Sequence, residues 1–505
     1  MIQTVLPRAM GVLLLALSMA NCGDSTDPWD NPFHLLAELH GPQFENLDGL
    51  GTAWLDDFVV SGTCEETCTL TTIKGDSFTL EAAGSDPRRP DAFVARLGLD
   101  GTLIWHLTIV GENAQIIEAL AVNHMGDTAL AGYSGSPEWD IIDAPGGTSH
   151  HAARGQRENA LVAFFDQDGG EISSLAFQAD DSHARAIDWA DDDHAVVSVE
   201  FDGTLELDTG SATPTVLTSR GRNDVALVKL GTDGVVDWWL QLGGSLEEYS
   251  TLVRRFSDGS IKFTMAFTES VQIDRMGVPA GEHTIQGGQG LLVLSLSQEG
   301  EIQWMFSSGA AGSTLYLKDL AEDADGGFSA VGFYVNASKL RGTDGVYMDL
   351  PTFNRWPDQH DSYISRFESS GALSWVHPYG SWSQDLTIGI VELPTGDTLR
   401  AIGYGSLQGF SIEEVAAKEV DAEDAFMIDF SEAGEAVANE VLAATPRASG
   451  TDADSFSDII NIGADQNLVS FRYMGEVTVR DANNGDMAIE ATGEKDALLL
   501  VRSAE

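Results

Sequence analysis

The sequence predicts an all-β protein built as a seven-bladed β-propeller, and three observations lead to this fold class. A short apolar phrase, opened by an acidic or small residue, returns seven times at intervals of roughly 63 to 72 residues. This period is too regular for chance and too long for a helical solenoid, so each copy is interpreted as one blade. Turn signals follow the phrase in constant register, and the last copy lacks a strand that the N-terminal region can supply. The phrases begin at Asp91, Asn159, Asp224, Gly290, Asp361, Asp424 and Asp496.

Each phrase is the third strand of a blade, and the segment after it is the fourth. An X-Gly turn such as Asp233-Gly234 follows six of the phrases, and X-Gly between two apolar alternating runs indicates a β-hairpin. Four residues after the Gly, four copies carry a Trp. Because the strand period puts these side chains at one repeated position, we expect them to pack between blades. They are Trp105, Trp238, Trp304 and Trp375.

A second pair of strands completes each blade, for example residues 118–123 and 128–133. Small residues recur in the second of these two strands, where Gly indicates close backbone approach near the propeller axis. Each blade therefore has four antiparallel strands, ordered from the channel outward. The recurrent small residues are Gly62, Gly132, Ser198, Gly332 and Gly403.

The ring is predicted to close with the N-terminal strand. The seventh copy stops after the phrase at Asp496, and residues 33–40 (FHLLAELH) provide the missing fourth strand of that blade. This closure removes free sheet edges, which would otherwise pair with other chains.

Phrases such as DVALVKLGTDGVVDWWLQLGG (224–244) and FDGTLELDTG (201–210) resemble the SBBP-type β-propeller repeats of bacterial secreted proteins and surface lipoproteins. The similarity covers nearly all of residues 33–505, weakly in each copy but coherently across seven. The resemblance implies a seven-bladed propeller outside the cytoplasm and carries no catalytic motif. The sixth copy departs from the pattern, with Ala438 at the Trp position.

The first residues have the form of an export signal. Arg8 precedes an apolar run over residues 10–20, which is too short to span a bilayer, and Cys22 follows it. The expected organisation is a signal peptide (1–21), a lipidated Cys22 with a flexible tether (22–32), and one propeller (33–505). Asn21 fits a lipoprotein signal poorly, so cleavage after Ala20 by the ordinary signal peptidase is the alternative. The protein is expected at the outer membrane or cell surface, or alternatively in the periplasm or secreted.

The remaining cysteines and the charge limit the partners. Cys64 and Cys68 stand four apart in an exported chain, which favours a disulfide over a zinc site. The formal charge of −52 disfavours binding to nucleic acid or to anionic headgroups, so a lipid anchor is the expected membrane contact. A monomer is expected. The partner is expected to be a protein or a glycan.

The connections between the second and third strands are long in every blade, and loops on a rigid frame are a candidate working surface. On the same face, the loops that enter the first strands carry acids near the channel mouth. Such oxygen ligands suit a cation such as calcium, but turn capping explains one acid per loop equally well, and no calcium-loop pattern is present. We therefore assign no cofactor, and a divalent cation such as calcium is the alternative. The acids are Glu112, Asp181, Glu248, Asp385 and Asp454.

One insert, residues 345–360, is chemically richer than the others, and aromatic, Arg and carboxylate groups together suit a sugar or peptide site. The candidate binding residues are Tyr347, Asp349, Arg355, Trp356 and His360. The sequence contains no catalytic motif of the common hydrolases, so no catalytic residue is assigned. The main hypothesis is a surface-anchored, non-enzymatic binding or scaffold propeller. The alternative is an extracellular polysaccharide hydrolase or lyase that uses carboxylates at the channel mouth.

Overall fold

The computed structural model describes residues 33–41, 45–54, 57–81, 89–153, 157–276, 278–354, 359–382, 384–394, 396, 398–405, 411–412, 424–442, 454–463, 466–480, 486–491 and 496–503. The predicted signal peptide, Cys22 and the tether lie outside these residues, as do Arg355 and Trp356. Regular structure in the described part consists of strands without helices, which confirms the all-β class. None of the described residues forms a helix long and apolar enough to cross a membrane.

The first eighteen strands are β1 (Phe33–His40), β2 (Glu45–Trp54), β3 (Asp57–Cys64), β4 (Thr67–Thr72), β5 (Ser77–Glu81), β6 (Asp91–Gly98), β7 (Leu103–Gly111), β8 (Gln115–Val122), β9 (Thr128–Ser134), β10 (Glu138–Ile142), β11 (Thr148–Ala152), β12 (Asn159–Phe165), β13 (Glu171–Ala176), β14 (Gln178–Trp189), β15 (His194–Leu207), β16 (Thr215–Thr218), β17 (Asp224–Gly231) and β18 (Val236–Gly243). The others are β19 (Glu248–Arg255), β20 (Ile261–Arg275), β21 (Val278–Leu296), β22 (Ile302–Ser308), β23 (Thr314–Glu322), β24 (Phe328–Val335), β25 (Ser338–Arg341), β26 (Tyr347–Leu350), β27 (His360–Phe367), β28 (Leu373–Tyr379), β29 (Asp385–Glu392), β30 (Thr398–Gly405), β31 (Asp424–Ser431), β32 (Ala436–Leu442), β33 (Ser455–Gly463), β34 (Gln466–Tyr473), β35 (Glu476–Arg480), β36 (Asp486–Glu490) and β37 (Asp496–Ser503).

Most strands join in antiparallel groups of four, which we call quartets and number along the chain. In the described part they are β2-β3-β6-β7, β8-β9-β12-β13, β14-β15-β17-β18, β19-β20-β21-β22, β23-β24-β27-β28, β29-β30-β31-β32 and β33-β34-β37-β1. The recurrent apolar phrase forms the third strand in each quartet. The arrangement is propeller-like, and the core lies between the faces of neighbouring sheets. One such apolar cluster joins Leu39 and Leu499 of the seventh quartet to Phe58 of the first.

The fourth-strand Trp residues tie neighbouring quartets together. The indole N–H of Trp238 donates to the Gln298 carbonyl in the third-to-fourth-strand turn of the next quartet, at 2.9 Å. Its ring lies against Gly300 of that turn, which has a φ of 74° and leaves no room for a Cβ. Trp105, Trp304 and Trp375 repeat the hydrogen bond with the carbonyls of Gln167, Ser369 and Glu432. The Trp residues therefore lie between quartets, as predicted from their repeated position.

Three of the long connections contain strands that pair with the edge of a neighbouring quartet. β4 pairs with β1, β10 pairs with β7, and the distal part of β20 pairs with β18. In each case an insert of one quartet covers the outer strand of the quartet before it. An uncovered outer strand exposes unpaired N–H and C=O groups, so these inserts protect sheet edges. The first insert contains the disulfide between Cys64 and Cys68.

The N-terminal strand β1 is hydrogen-bonded on both sides. It pairs with β37 from Phe33↔Arg502 to Leu39↔Ala497, and with β4 from Ala37↔Thr72 to His40↔Thr69. The first and last parts of the described chain are therefore joined by backbone hydrogen bonds.

Deleting Phe33–His40 should cause aggregation, because it uncovers the edges of both β37 and β4. Size-exclusion chromatography with light scattering measures the outcome. A truncated protein that stays monomeric with an unchanged melting temperature would show that β1 does not protect these edges.

Replacing Trp238 with Phe should lower the free energy of unfolding by about 1 kcal/mol, because the ring is kept while the hydrogen bond to Gln298 is lost. Urea unfolding followed by far-UV circular dichroism measures the change. The matched control is Trp239→Phe, since the indole of Trp239 donates to no residue that the structure describes. An equal loss in both variants would contradict the role of the hydrogen bond.

Candidate functional site: a charged cavity between the first strands

A cavity of about 390 Å³ is lined by the first strands of all seven described quartets, namely β2, β8, β14, β19, β23, β29 and β33. Neighbouring first strands contact each other in this order, and β33 contacts β2. The lining is polar. Among the described residues that line it, none has an aromatic side chain.

Each first strand carries a β-bulge at the same place, where one residue has no partner on the second strand. Every bulge residue lines the cavity, and we call the set the bulge ring. A bulge re-aims a side chain and bends its strand, so the repeated bulge turns one side chain per quartet toward the cavity. The bulge ring consists of Asp48, Glu118, Arg185, Thr251, Lys318, Ile388 and Ser457.

The bulges explain the glycines of the second strands. A Cβ added to Gly132 would lie 2.0 Å from the carbonyl oxygen of Ile116, two residues before the bulge residue Glu118. Gly332 has the same relation to Tyr316, two residues before Lys318. The first strand thus approaches the second too closely for a side chain. This periodic glycine is the sequence signal that could have located the bulge ring.

Three aspartates near the bulges join alternate pairs of quartets through backbone N–H groups. Asp188 accepts from the N–H of Arg255, Asp319 from that of Ile390, and Asp458 from that of Leu50, at 2.7 to 2.9 Å. The last of these links the seventh quartet to the first. Burial raises the pKa of all three carboxyls, and that of Asp458 reaches about 7.

Two of the cavity's arginines are paired. Arg254 donates to Asp319 at 2.7 Å. Arg185 donates to the bulge residue Glu118 at 2.5 Å and to the buried Glu200 at 3.0 Å. Burial raises the pKa of Glu200, and the Arg185 charge opposes that shift.

Lys318 and Asp48 are the charged bulge residues without an ion pair. No hydrogen bond or ion pair joins the Lys318 ammonium to any residue that the structure describes. Desolvation lowers the pKa of Lys318, and the charges of Glu118 and Asp319 oppose that shift. The side chain is deep in the cavity yet accessible to water within it. Asp48 accepts a hydrogen bond from Thr63 at 3.1 Å, and burial raises its pKa to about 6.

The acids predicted at the channel mouth do not form an exposed ring. Glu248, Asp385 and Asp454 are buried, and each accepts from a backbone N–H, of Gly244, Ser381 and Met474 respectively. Burial raises the pKa of Glu248 to about 8. Glu112 is exposed, and Asp181 lies 3.5 Å from Arg157. Three of the five acids therefore accept hydrogen bonds from the backbone and do not line an open rim. This is the capping role that the sequence left open for them.

One group of potential metal ligands occurs among the described residues: Glu158, Asp181 and His183. Arg185 donates to Nδ1 of His183 at 2.8 Å, and a guanidinium can only donate. The proton of the neutral ring is therefore on Nε2, which donates to Glu158. That hydrogen bond occupies the ring nitrogen that a metal ion would need. The cluster is therefore a hydrogen-bonded network.

The candidate binding insert, residues 345–360, contains β26, which pairs with β25 just before the insert to form a two-stranded hairpin. Tyr347 is 51% exposed, and the Arg341 guanidinium lies 5.2 Å from its ring centroid. Asp349 is exposed and lies 3.5 Å from Lys339. His360 is half-buried beside Phe333, and this burial lowers the pKa of its imidazole. Arg355 and Trp356 lie outside the described residues.

No protein-family model matches the chain, and no curated protein matches it. Solved structures with some similarity include hydrazine synthase of Kuenenia stuttgartiensis, at 11% identity over 93% of this chain and 99% of that one, with a TM-score of 0.35. Sqt1 from Chaetomium thermophilum is 10% identical over 77% and 96%, with a TM-score of 0.32. The periplasmic gluconolactonase PpgL of Pseudomonas aeruginosa is 12% identical over 81% and 99%, with a TM-score of 0.26. Similarity at this level transfers no activity to this chain, and the SBBP-type resemblance stays a prediction.

Proposed function

We propose that this chain is a seven-bladed β-propeller with four antiparallel strands per blade, closed by the N-terminal strand, that acts as a surface-anchored binding or scaffold module for a protein or glycan. The seven quartets around one cavity support the blade count. The pairing of β1 with β37 and the hydrogen bond from Leu50 to Asp458 support the closure. In this proposal each quartet is one blade.

The observation that carries the binding function is the exposed Tyr347 on the β25–β26 hairpin. Tyr347 and Val346 are 51% and 52% exposed and adjacent in the chain, and the Arg341 guanidinium lies 5.2 Å from the Tyr347 ring centroid. Exposed aromatic and Arg side chains are the residues that dominate binding energy at interfaces. The hairpin is held against the end of β22, because the N–H of Gly309 donates to the Lys339 carbonyl at 3.2 Å and the N–H of Arg341 donates to the Ser308 hydroxyl at 3.0 Å. Tyr347 is therefore an exposed side chain on a fixed hairpin, which is the arrangement that a binding contact needs.

Several carboxylates that could serve a polysaccharide hydrolase are already engaged. Glu248, Asp385 and Asp454 accept backbone hydrogen bonds, and Asp319 and Asp458 each accept two. A general acid or base needs a carboxyl group within hydrogen-bond reach of the substrate. This engagement favours the binding function over the hydrolase or lyase alternative. Release of reducing ends from polysaccharide would favour the alternative.

Replacing Tyr347 with Ala should weaken binding by at least about 2 kcal/mol, the usual threshold for an interface anchor. A glycan array and a panel of purified extracellular proteins provide the ligand, and calorimetry measures the affinity. The control is Val216→Ala, which removes a similarly exposed side chain, 52% exposed, from β16. Full affinity of the Tyr347 variant would exclude this hairpin as the contact.

The surface anchor is proposed from Cys22. Replacing Cys22 with Ser should move the protein from the membrane fraction to the soluble extract, because the variant has no thiol for the lipid. Fractionation followed by immunoblotting measures the distribution. A wild-type protein already found in the soluble extract would instead favour cleavage after Ala20.

A further inference from the structure

The charged cavity has one basic and one acidic bulge residue that no ion pair neutralises. Lys318 on β23 and Asp48 on β2 line the same cavity, and no ion pair joins these two side chains. The other charged bulge residues, Glu118 and Arg185, are paired with each other. A charge left unpaired in a partly desolvated site is costly, and a bound counter-charge removes that cost.

The two charges lie on separate walls. Following the contacts between first strands, β23 is succeeded by β29, β33 and β2. The bulge residues of the two intervening strands are Ile388 and Ser457, which are uncharged. Asp458 of β33 and Asp319 of β23 also line the cavity, but each accepts from two backbone N–H groups, and Asp319 accepts from Arg254 as well. Lys318 and Asp48 are therefore the charged lining residues that neither an ion pair nor a backbone N–H engages in the described part of the chain, and the 390 Å³ suit a small molecule.

We propose that this cavity binds a small zwitterion, with its carboxylate at Lys318 and its ammonium group at Asp48. A ligand of this class supplies a counter-charge to both walls. Its methylene groups lie against Ile388. A simple anion would leave Asp48 unpaired, and a simple cation would leave Lys318 unpaired. The absence of aromatic side chains from the described lining disfavours a stacked sugar or nucleobase in the same space.

This site is independent of the proposed contact at Tyr347. The ligand is enclosed by first strands, whereas Tyr347 is on an exposed hairpin. Failure of one proposal therefore leaves the other standing.

Isothermal titration calorimetry of the full-length protein with a series of ω-amino acids tests the inference. The series comprises glycine, 4-aminobutyrate and 6-aminohexanoate, and the single-charge analogues are butyrate and butylamine. We expect one member of the series to bind at least tenfold more tightly than either analogue. The inference is wrong if no member binds, or if butyrate binds as tightly as 4-aminobutyrate.

Variants then assign the two walls. Lys318→Met and Asp48→Asn should each weaken binding of the preferred amino acid at least tenfold. Lys339→Met is the matched control, because Lys339 is exposed on β25 and paired with Asp349, and it should leave binding unchanged. Unchanged binding in either wall variant overturns the assignment.

Circular dichroism establishes that each variant is folded. If Asp48→Asn does not fold, Asp48→Glu is used in its place. The longer side chain extends one methylene into the cavity, so the preference should shift toward a shorter amino acid. An unshifted preference with unchanged affinity would count against Asp48 as the ammonium site.

Discussion

The architecture depends on hydrogen bonds that join neighbouring quartets in two places, at the outer turns and at the inner strands. At the outer strand, the indole of Trp238 and its equivalents reach the turn carbonyl of the following quartet. In the second quartet Ser173 takes the place of the Trp, and its hydroxyl donates to the equivalent carbonyl, that of Thr232. At the inner strand, Asp188, Asp319 and Asp458 accept backbone N–H groups of the following quartet. Polar contacts of fixed direction thus set the angle between sheets, which apolar packing alone, being non-directional, would leave loose.

The inner contacts also explain why the cavity is charged. A buried carboxylate is favourable only when it is hydrogen-bonded or paired. Asp458 meets this condition with two backbone N–H groups, and Asp319 with two N–H groups and Arg254. The charges near the axis are therefore partly structural. Lys318 and Asp48 stand apart because neither supports a neighbouring strand in this way.

The sequence predicted the outer half of each quartet better than the inner half. One contact recurs at fixed spacing, namely that between an outer-strand Trp such as Trp238 and the turn of the following quartet. The apolar phrase, the X-Gly turn and the Trp therefore recur in the sequence. The bulge ring was missed because only its backbone geometry repeats. Its side chains range from Asp48 to Lys318 to Ile388, so no residue type marks the position. The glycines of the second strand predict close backbone approach, but they do not by themselves predict the bulge that causes it.

The acids and the inserts were harder to assign, for different reasons. An acidic residue before a strand is compatible with an open rim or with a capped loop, and burial alone separates the two, as Glu248 shows. For the inserts, the strand Thr67–Thr72 pairs with β1, which is distant in sequence. Local pattern predicts a strand and cannot predict which edge it joins.

The edge-covering inserts are needed even though the chain carries a net charge of −52. Repulsion between two such molecules is screened beyond about 8 Å at physiological ionic strength. Strand pairing acts at about 4.8 Å, inside that distance, and adds many hydrogen bonds at once. Charge therefore slows the approach of two molecules, but it does not remove the pairing sites that an open edge offers. Strands β4, β10 and β20 cover the edges of β1, β7 and β18 and so remove the pairing sites themselves. The acidic surface therefore opposes the approach of two molecules, and the inserts prevent the strand pairing that would follow.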